Sequence, residues 1–204
     1  MAAAVPVVGI CGPSAAGKSV LAAALCERLE AQQRRCLVLA CDNYYRTNWD
    51  PHGRFGFDTV EAIDVPCLQQ ELAALRAGQC HSLRTYDMAT RSISRRPLSG
   101  NPPELILLEG AYGPQALLES SPFALLVYVQ TALPLRLLRR LRRDQQQRQR
   151  SARYVLQQTL LQTLPGERRF IHPLRRQADV VVRDLQGCIE PLSAQLSLIL
   201  NGHT

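Results

Sequence analysis

The sequence predicts an α/β domain of three layers, in which helices cover both faces of a mainly parallel five-stranded sheet. Short, nearly continuous apolar runs are typical of strands buried in such a sheet, and they occur at residues 5–10, 36–40, 105–108, 124–129 and 178–182. Between them, apolar residues recur at helical spacing over residues 18–31, 65–76, 134–144, 152–164 and 191–200. Strands that alternate with helices of this length form parallel sheets.

Length and composition indicate one domain over residues 1–204, because 46% hydrophobic residues in 204 supply a core for one domain and not for two. The first apolar run has no basic residues before it, so we expect a strand and not a signal peptide, and no later run is long enough to span a membrane. The seven cysteines contain no CxxC pair, which argues against a disulfide framework and a zinc site. We therefore expect a cytoplasmic protein.

The formal net charge of +7 is compatible with nucleic acid, a membrane surface or an acidic small ligand. Arginines concentrate at residues 136–153 and 168–176 without interleaved lysines, and the first run also lacks aromatic residues, which argues against a nucleic-acid partner. We also expect no membrane partner. Lys18 is the only lysine in the chain. A single compact ammonium group among arginines indicates a site for which a planar guanidinium is unsuitable.

A glycine-rich loop, GPSAAGKS at residues 12–19, matches the pattern GxxxxGK[ST] between a predicted strand and a predicted helix. Glycine permits backbone N–H groups to face phosphates, Lys18 reaches the outer phosphates, and Ser19 is a ligand for Mg²⁺. The loop predicts a three-layer P-loop NTPase fold that binds ATP or GTP with Mg²⁺. The predicted nucleotide-binding residues are Gly12, Pro13, Ser14, Ala15, Ala16, Gly17, Lys18, Ser19 and Val20.

Two carboxylates follow predicted strands. Glu109 comes directly after the run LILL, where P-loop proteins place an acidic residue near the metal, although it could instead only cap the strand. Asp42 follows the second strand and so lies at the carboxyl edge of the sheet, where ligands bind. There it could orient or deprotonate an acceptor hydroxyl, or it could be a turn residue before Asn43.

Arginines in the predicted helix 134–144 suit a transferring phosphoryl group, because Arg140 and Arg143 lie three residues apart on one face. A basic, solvated helix face is the alternative, and we expect it for Arg136, Arg139 and Arg142. Residues 42–64 and 81–101 lack regular periodicity and are expected to be long functional loops, whereas residues 145–149 have the composition of a low-complexity surface segment.

The combination of motifs resembles the uridine kinases, in a wider group that includes phosphoribulokinases. The motifs occur in that family's order over residues 5–182: GPSAAGKS, CDNYYR, GFDTVEAID, TYDMATRS, LLEG, RRLRRDQQQRQRS and QADVVV. The resemblance implies phosphorylation of uridine, and often of cytidine, at the 5′-hydroxyl by ATP or GTP, as in pyrimidine salvage.

The resemblance also implies roles for individual residues around the acceptor. Asp42 is similar to the catalytic aspartate of the family, and Tyr45 to the aromatic residue beside it. Phe57 and Asp58 match an F-D pair whose aspartate holds the ribose hydroxyls. Tyr86 matches a tyrosine that faces the nucleobase.

Further resemblance implies an arginine-rich helical lid at about residues 140–170. Arg140, Arg143, Arg148 and Arg150 match arginines that reach the phosphates and the nucleoside, with Arg140 and Arg143 in catalytic roles. Gln158 lies where a glutamine near the lid contacts the substrate. The sequence leaves open the choice between ATP and GTP and the formation of a homo-oligomer.

The sequence departs from the family at several positions. Arg91 stands where uridine kinases usually carry a histidine that reads the pyrimidine edge, and arginine cannot accept a hydrogen bond. Gln149 replaces a lid glycine that permits positive φ, and Pro165 with Gly166 is expected to interrupt the helix before residue 170. An acceptor such as a sugar phosphate, pantothenate or another riboside is the alternative. A further alternative is a non-catalytic nucleotide-binding or regulatory module, in which Asp42 or the lid arginines would have no catalytic role.

Overall fold

The computed structural model describes residues 4–118 and 123–202, without the side chains of residues 147 and 148. Its main sheet consists of β1 (Val7–Cys11), β2 (Cys36–Ala40), β5 (Leu105–Gly110), β6 (Leu125–Val129) and β7 (Val180–Val182). The strands lie in the order β2-β5-β1-β6-β7, and each neighbouring pair is parallel. The predicted parallel sheet of five strands is therefore confirmed.

Seven α-helical segments are described: α1 (Lys18–Ala31), α2 (Val65–Arg76), α3 (Pro114–Leu117), α4 (Leu133–Arg148), α5 (Ala152–Gln158), α6 (Leu164–Gly166) and α7 (Ile189–Gly202). The first two have the predicted bounds. By contrast, α4 extends into the glutamine-rich stretch that composition assigned to a low-complexity segment. No helix within residues 4–118 and 123–202 has both the length and the apolar character that a membrane span requires.

Alternate side chains along the strands supply two separate cores. Val8 and Ile10 of β1 pack with apolar residues of α1 and α7 on one face of the sheet. Val7 and Cys11, on the other face, pack with Leu68 and other residues of α2. Because both faces are covered, the strands are apolar along their whole length, which explains the continuous runs in the sequence.

The stretch 81–101 is not an irregular loop, as the sequence suggested, but contains an antiparallel hairpin of β3 (Ser82–Tyr86) and β4 (Ile93–Pro97). Every residue of β4 is exposed, so no alternation of apolar and polar residues marks the strand. Arg84 of β3 is buried and donates to the carbonyl oxygens of Asn43 at 2.9 Å and Tyr45 at 2.7 Å. These bonds attach the hairpin to the segment that follows β2.

The chain also remains helical through Pro165 and Gly166, contrary to the sequence expectation. Wider π-helical turns at Thr159–Thr163 and Glu167–Ile171 flank α6, and a 3₁₀ turn at His172–Arg176 follows. A π-helical turn shifts the hydrogen-bond partners by one residue, which accommodates a proline without an N–H group. A Cβ atom at Gly166 would lie 2.2 Å from the carbonyl oxygen of Asp58, so glycine permits close packing of this stretch against Asp58.

Candidate active site

The carboxyl edge of the sheet brings the P-loop and both predicted carboxylates together. Cys11, which precedes the P-loop, pairs with Gly110 of β5, and Ala40 of β2 pairs with Glu109. Asp42 follows β2 in the 3₁₀ turn Cys41–Tyr44. A cavity of about 660 Å³ opens at this edge. Its volume is in the range of small-molecule sites.

The cavity is lined by most of the predicted site residues: Ser14, Ala15, Gly17, Lys18, Ser19, Val20, Asp42, Tyr45, Phe57, Asp58, Tyr86, Arg91, Glu109, Arg140, Arg143 and Arg150. Four predicted residues do not line it: Gly12, Pro13, Ala16 and Gln158. Sequence reasoning missed six residues that do: Met88, Ala89, Ala111, Tyr112, Arg139 and Leu185. Several of these are small or apolar, and such residues carry no chemical signal in a sequence.

The P-loop has the backbone geometry of a phosphate cradle. Gly12 has φ 141° and a Cβ atom there would lie 2.4 Å from the carbonyl oxygen of Val129. Gly17, with φ 105°, is the N-cap residue of α1, and Lys18 and Ser19 of its first turn line the cavity, so the N-terminus of that helix faces the cavity. The Lys18 ammonium donates to the carbonyl oxygen of Pro13 at 3.0 Å and is thereby folded over the loop. The loop thus presents N–H groups and a cation to one volume, which suits a polyphosphate.

Ser19 and Glu109 are placed to hold a metal ion. The Ser19 hydroxyl donates to Glu109 Oε1 at 2.9 Å, and Glu109 is only 7% exposed. Burial, and then the nearby Asp42, raise the pKa of Glu109, whereas Lys18 opposes the shift. A hydroxyl and a carboxylate side by side are ligands that Mg²⁺ accepts, and a divalent cation would offset the buried negative charge. These residues therefore fit Mg²⁺.

Asp42 is exposed to the cavity, and its backbone position is fixed by its neighbour. The Asn43 side chain accepts a hydrogen bond from the Tyr86 N–H at 3.2 Å, and its carbonyl oxygen accepts one from Arg84. The hairpin and the turn that carries Asp42 are therefore one connected unit. An exposed carboxylate on a fixed backbone can orient a hydroxyl group.

Aromatic residues form another wall of the cavity. Tyr45 lies 5.9 Å from Phe57 in an edge-to-face contact and 6.0 Å from Tyr86, measured between ring centroids. The Arg91 guanidinium carbon lies 5.0 Å from the centroid of Phe57, and its NH2 group donates to the carbonyl oxygen of Trp49. This aromatic wall, formed by Tyr45, Phe57 and Tyr86, suits a flat ligand whose edge meets a cation.

A relay of hydrogen bonds joins Arg140 of α4 to Asp58. Arg140 donates to the Thr163 hydroxyl at 2.8 Å, which in turn donates to Asp58 Oδ2 at 2.8 Å. Gln158 accepts from Arg140 at 3.0 Å and from Arg150 at 3.4 Å, so it positions both arginines from outside the cavity. Burial raises the pKa of Asp58, and the charge of Arg140 opposes that shift.

The sequence model of the Phosphoribulokinase / Uridine kinase family matches residues 7–188. The chain belongs to this family. It is a kinase that transfers phosphate to a hydroxyl acceptor. The chain is 35% identical over 181 residues to a uridine kinase of Chloroflexus aggregans, covering 86% of this chain and 85% of that protein. It is 30% identical over 182 residues to a uridine kinase of Lactobacillus johnsonii, with coverage of 86% and 85%.

Solved structures support the same P-loop kinase fold. A possible uridine kinase from Bacillus stearothermophilus superposes with a TM-score of 0.62 at 23% identity, covering 90% of this chain and 91% of that chain. Phosphoribulokinase from Rhodobacter spheroides gives a TM-score of 0.56 at 15% identity, covering 88% of this chain and 72% of that chain.

Two arginines of α4 that were expected to be solvated have specific contacts in this kinase. Arg136 is buried and pairs at 2.7 Å with Glu167, which is 0% exposed and accepts a hydrogen bond from the Ser14 N–H at 3.0 Å. Arg139 lines the cavity and donates to the Ala16 carbonyl oxygen at 3.5 Å. Arg142 is exposed, as expected. Arg136, Arg140 and Arg143 have the spacing i, i+4, i+7, which places them on one face of a helix. This spacing is the sequence signal that could have identified Arg136 as a site residue.

Asp144 is a further residue that sequence reasoning missed. It is 0% exposed, accepts from Arg143 Nε at 2.8 Å, and lies 3.9 Å from Arg140 and 3.7 Å from Arg150. Gln149, which follows α4, adopts φ 53°, so the turn there has the left-handed conformation without a glycine. The side chain of Arg148 lies outside the described residues.

Proposed function

We propose that this kinase transfers the γ-phosphate of ATP or GTP to the 5′-hydroxyl of uridine or cytidine, giving UMP or CMP for pyrimidine salvage. One observation carries the proposal: the P-loop, Asp42 and the aromatic wall line a single cavity. A nucleoside therefore has a site for its base in the cavity that also holds the phosphate groups. Relatives described as uridine kinases support the same acceptor.

The proposed reaction is an in-line attack of the 5′-hydroxyl on the γ-phosphate. Asp42 orients that hydroxyl or accepts its proton, while Lys18, Arg140 and Arg143 stabilise the charge that spreads over the phosphoryl oxygens. Ser19 and Glu109 hold Mg²⁺, which when bound neutralises phosphate charge. Phosphoryl transfer depends mainly on such positioning and electrostatic stabilisation.

On the acceptor side, we propose that Asp58 binds the ribose hydroxyls and that the aromatic wall and Arg91 contact the base. Arg150 approaches the substrate from the lid, and Gln158 positions it through its amide oxygen. Lid closure over the substrate would exclude water from the reacting phosphate, which prevents its hydrolysis. The lid, at about residues 140–170, and the P-loop belong to one proposed domain over residues 1–204.

The test is a coupled assay of ADP release with Mg-ATP across uridine, cytidine, other nucleosides, ribulose 5-phosphate and pantothenate. We expect rapid turnover with uridine or cytidine only. Turnover of the sugar phosphate or pantothenate, together with no turnover of any nucleoside, would favour a related kinase for another small hydroxylated acceptor. Arg91 is the observation behind that second candidate, because its fixed cation also suits a phosphate or carboxylate group.

A further inference from the structure

Thr163 lies between two charged groups of the site without lining the cavity itself. Its hydroxyl accepts a hydrogen bond from Arg140 at 2.8 Å and donates one to Asp58 Oδ2 at 2.8 Å. All three residues are buried, but only Arg140 and Asp58 of the three line the cavity. Thr163 can therefore act on a ligand only through these two side chains.

The chemistry of the three groups fixes the direction of these hydrogen bonds. A guanidinium can only donate, so Thr163 must accept from Arg140, and its single proton is left for Asp58. The competing acceptor, the carbonyl oxygen of Gln158, lies farther away at 3.4 Å. Among residues 4–118 and 123–202, no other side chain donates to the Asp58 carboxylate. Asp58 thus depends on one donor from the protein and keeps acceptor capacity for the hydroxyl groups of a ligand.

The backbone that carries Thr163 is fixed against Asp58. Thr163 ends the π-helical turn Thr159–Thr163. Such a turn holds about one residue more than an α-helical turn, so it rotates the following side chains by about 100°. Gly166 then packs so closely that a Cβ atom there would lie 2.2 Å from the Asp58 carbonyl oxygen. The helical register and this packing together place the Thr163 hydroxyl at the Asp58 carboxylate.

The hydrogen bond from Thr163 also affects the charge of Asp58. Burial raises the pKa of Asp58, whereas the charge of Arg140 and the hydrogen bond from Thr163 oppose the shift. An ionised carboxylate accepts hydrogen bonds from hydroxyl groups on both of its oxygens. Thr163 therefore favours the form of Asp58 that binds a hydroxylated ligand most strongly.

We propose that Thr163 is a positioning residue of this kinase, which holds the acceptor-binding carboxylate of Asp58 in a fixed relation to the guanidinium of Arg140. The inference rests on the proposed function, because it takes Asp58 as the group that binds the ribose hydroxyls and Arg140 as a group that meets the phosphoryl oxygens. One buried hydroxyl then aligns the acceptor with the transferring phosphoryl group, and such alignment has a large effect on rate.

The first test compares Thr163→Val with the matched control Thr159→Val. Both threonines are buried in the same π-helical turn, but the Thr159 hydroxyl donates to the carbonyl oxygen of Val155, at 2.7 Å within its own helical stretch. We expect Thr163→Val to raise the KM for uridine and cytidine at least about tenfold, the scale of a lost hydrogen bond to a charged group. The KM for ATP should change little, because the P-loop is untouched.

Two further variants separate the hydroxyl from the shape of the side chain. Thr163→Ser keeps the hydroxyl and should keep a KM for the nucleoside close to that of the wild type. Thr163→Ala removes the hydroxyl without placing a methyl group beside the charged side chains, so it provides the same comparison if Thr163→Val does not fold. The Thr159→Val control should match the wild type in both KM values.

A second measurement uses 2′-deoxyuridine and 3′-deoxyuridine, each of which lacks one ribose hydroxyl. We expect the wild type to prefer uridine over both, and Thr163→Val to lose most of that preference in kcat/KM, because its Asp58 binds the hydroxyls less well. A general loss of folded enzyme would lower kcat/KM for all three nucleosides by the same factor and leave the preference unchanged.

Each contrary outcome has a distinct meaning. An unchanged KM for the nucleoside in Thr163→Val, an equal loss in Thr159→Val, a Thr163→Ser variant as impaired as Thr163→Val, or an unchanged preference for uridine over its deoxy analogues would overturn the role of Thr163. Those results would leave the nucleoside kinase intact. Turnover of no nucleoside by the wild type would overturn the proposed function together with this inference.

Discussion

The phosphate end and the acceptor end of the cavity are built in different ways. At the phosphate end, the P-loop comes from eight consecutive residues, and its internal contacts, such as Lys18 with Pro13, span five residues or fewer. Glu109 and arginines of α4 complete this end. The acceptor end combines side chains from separate parts of the chain, among them Tyr45, Asp58 and Arg91, and long-range hydrogen bonds hold each of them. A site made by local backbone geometry has a readable sequence pattern, whereas a site made by tertiary contacts does not.

Glu167 is the residue at which this contrast weakens. It lies in the π-helical turn Glu167–Ile171, yet it accepts a hydrogen bond from the Ser14 N–H of the P-loop and pairs with Arg136 of α4. Arg136 also donates to the Ser14 carbonyl oxygen at 3.2 Å. Glu167 and Arg136 thereby both contact Ser14 of the P-loop, so the geometry of the phosphate end depends in part on residues far along the chain.

The largest expected effect is that of Asp42→Asn, because Asp42 lies where the two ends meet. We expect kcat to fall at least roughly a hundredfold, the scale of a lost catalytic base, with little change in the KM for ATP. Steady-state kinetics with both substrates varied would measure this. The matched control is Asp50→Asn, an exposed aspartate outside the cavity. Near-normal turnover would remove Asp42 from the chemistry and place the catalytic contribution in the phosphate end alone.

Glu167→Gln is expected to have the next largest effect, on stability and on nucleotide binding together. The change leaves the buried Arg136 cation without its counter-charge, which should cost about 3 kcal/mol in the free energy of unfolding. It also weakens the hold on Ser14, so the KM for ATP should rise.

Urea unfolding and ATP kinetics would measure both effects of Glu167→Gln. The control is Glu190→Gln, since Glu190 makes an exposed ion pair with Arg28 that should contribute little. If Glu167→Gln lost stability but kept its KM for ATP, the geometry of the P-loop would not depend on Glu167. The P-loop would then be built by local contacts alone, unlike the acceptor end.

The sequence predicted the sheet, the P-loop and the bounds of α1 and α2, because each depends on local periodicity or on a contiguous motif. It did not predict the hairpin, since the exposed β4 lacks an apolar face. It also missed Glu167, whose partner Arg136 lies 31 residues away in the chain, and Asp144, whose partner Arg143 is adjacent but whose complete burial is visible only in the structure. The resemblance of the motifs that contain Tyr45, Phe57 and Tyr86 predicted an acceptor pocket. The hydrogen bond between Arg91 and Trp49 joins residues far apart in the chain, and it is visible only in the structure.

The smallest expected effect separates two neighbouring arginines of α4. Arg139 lines the cavity beside the P-loop and contacts the Ala16 carbonyl oxygen, whereas Arg142 is exposed and does not line the cavity. We expect Arg139→Gln to raise the KM for ATP by up to about fivefold, the scale of one exposed charge contact, with kcat nearly unchanged. Arg142→Gln should leave both constants unchanged. If the two variants behaved alike, the phosphate end would consist of the P-loop and the buried arginines only, with no contribution from the exposed face of α4.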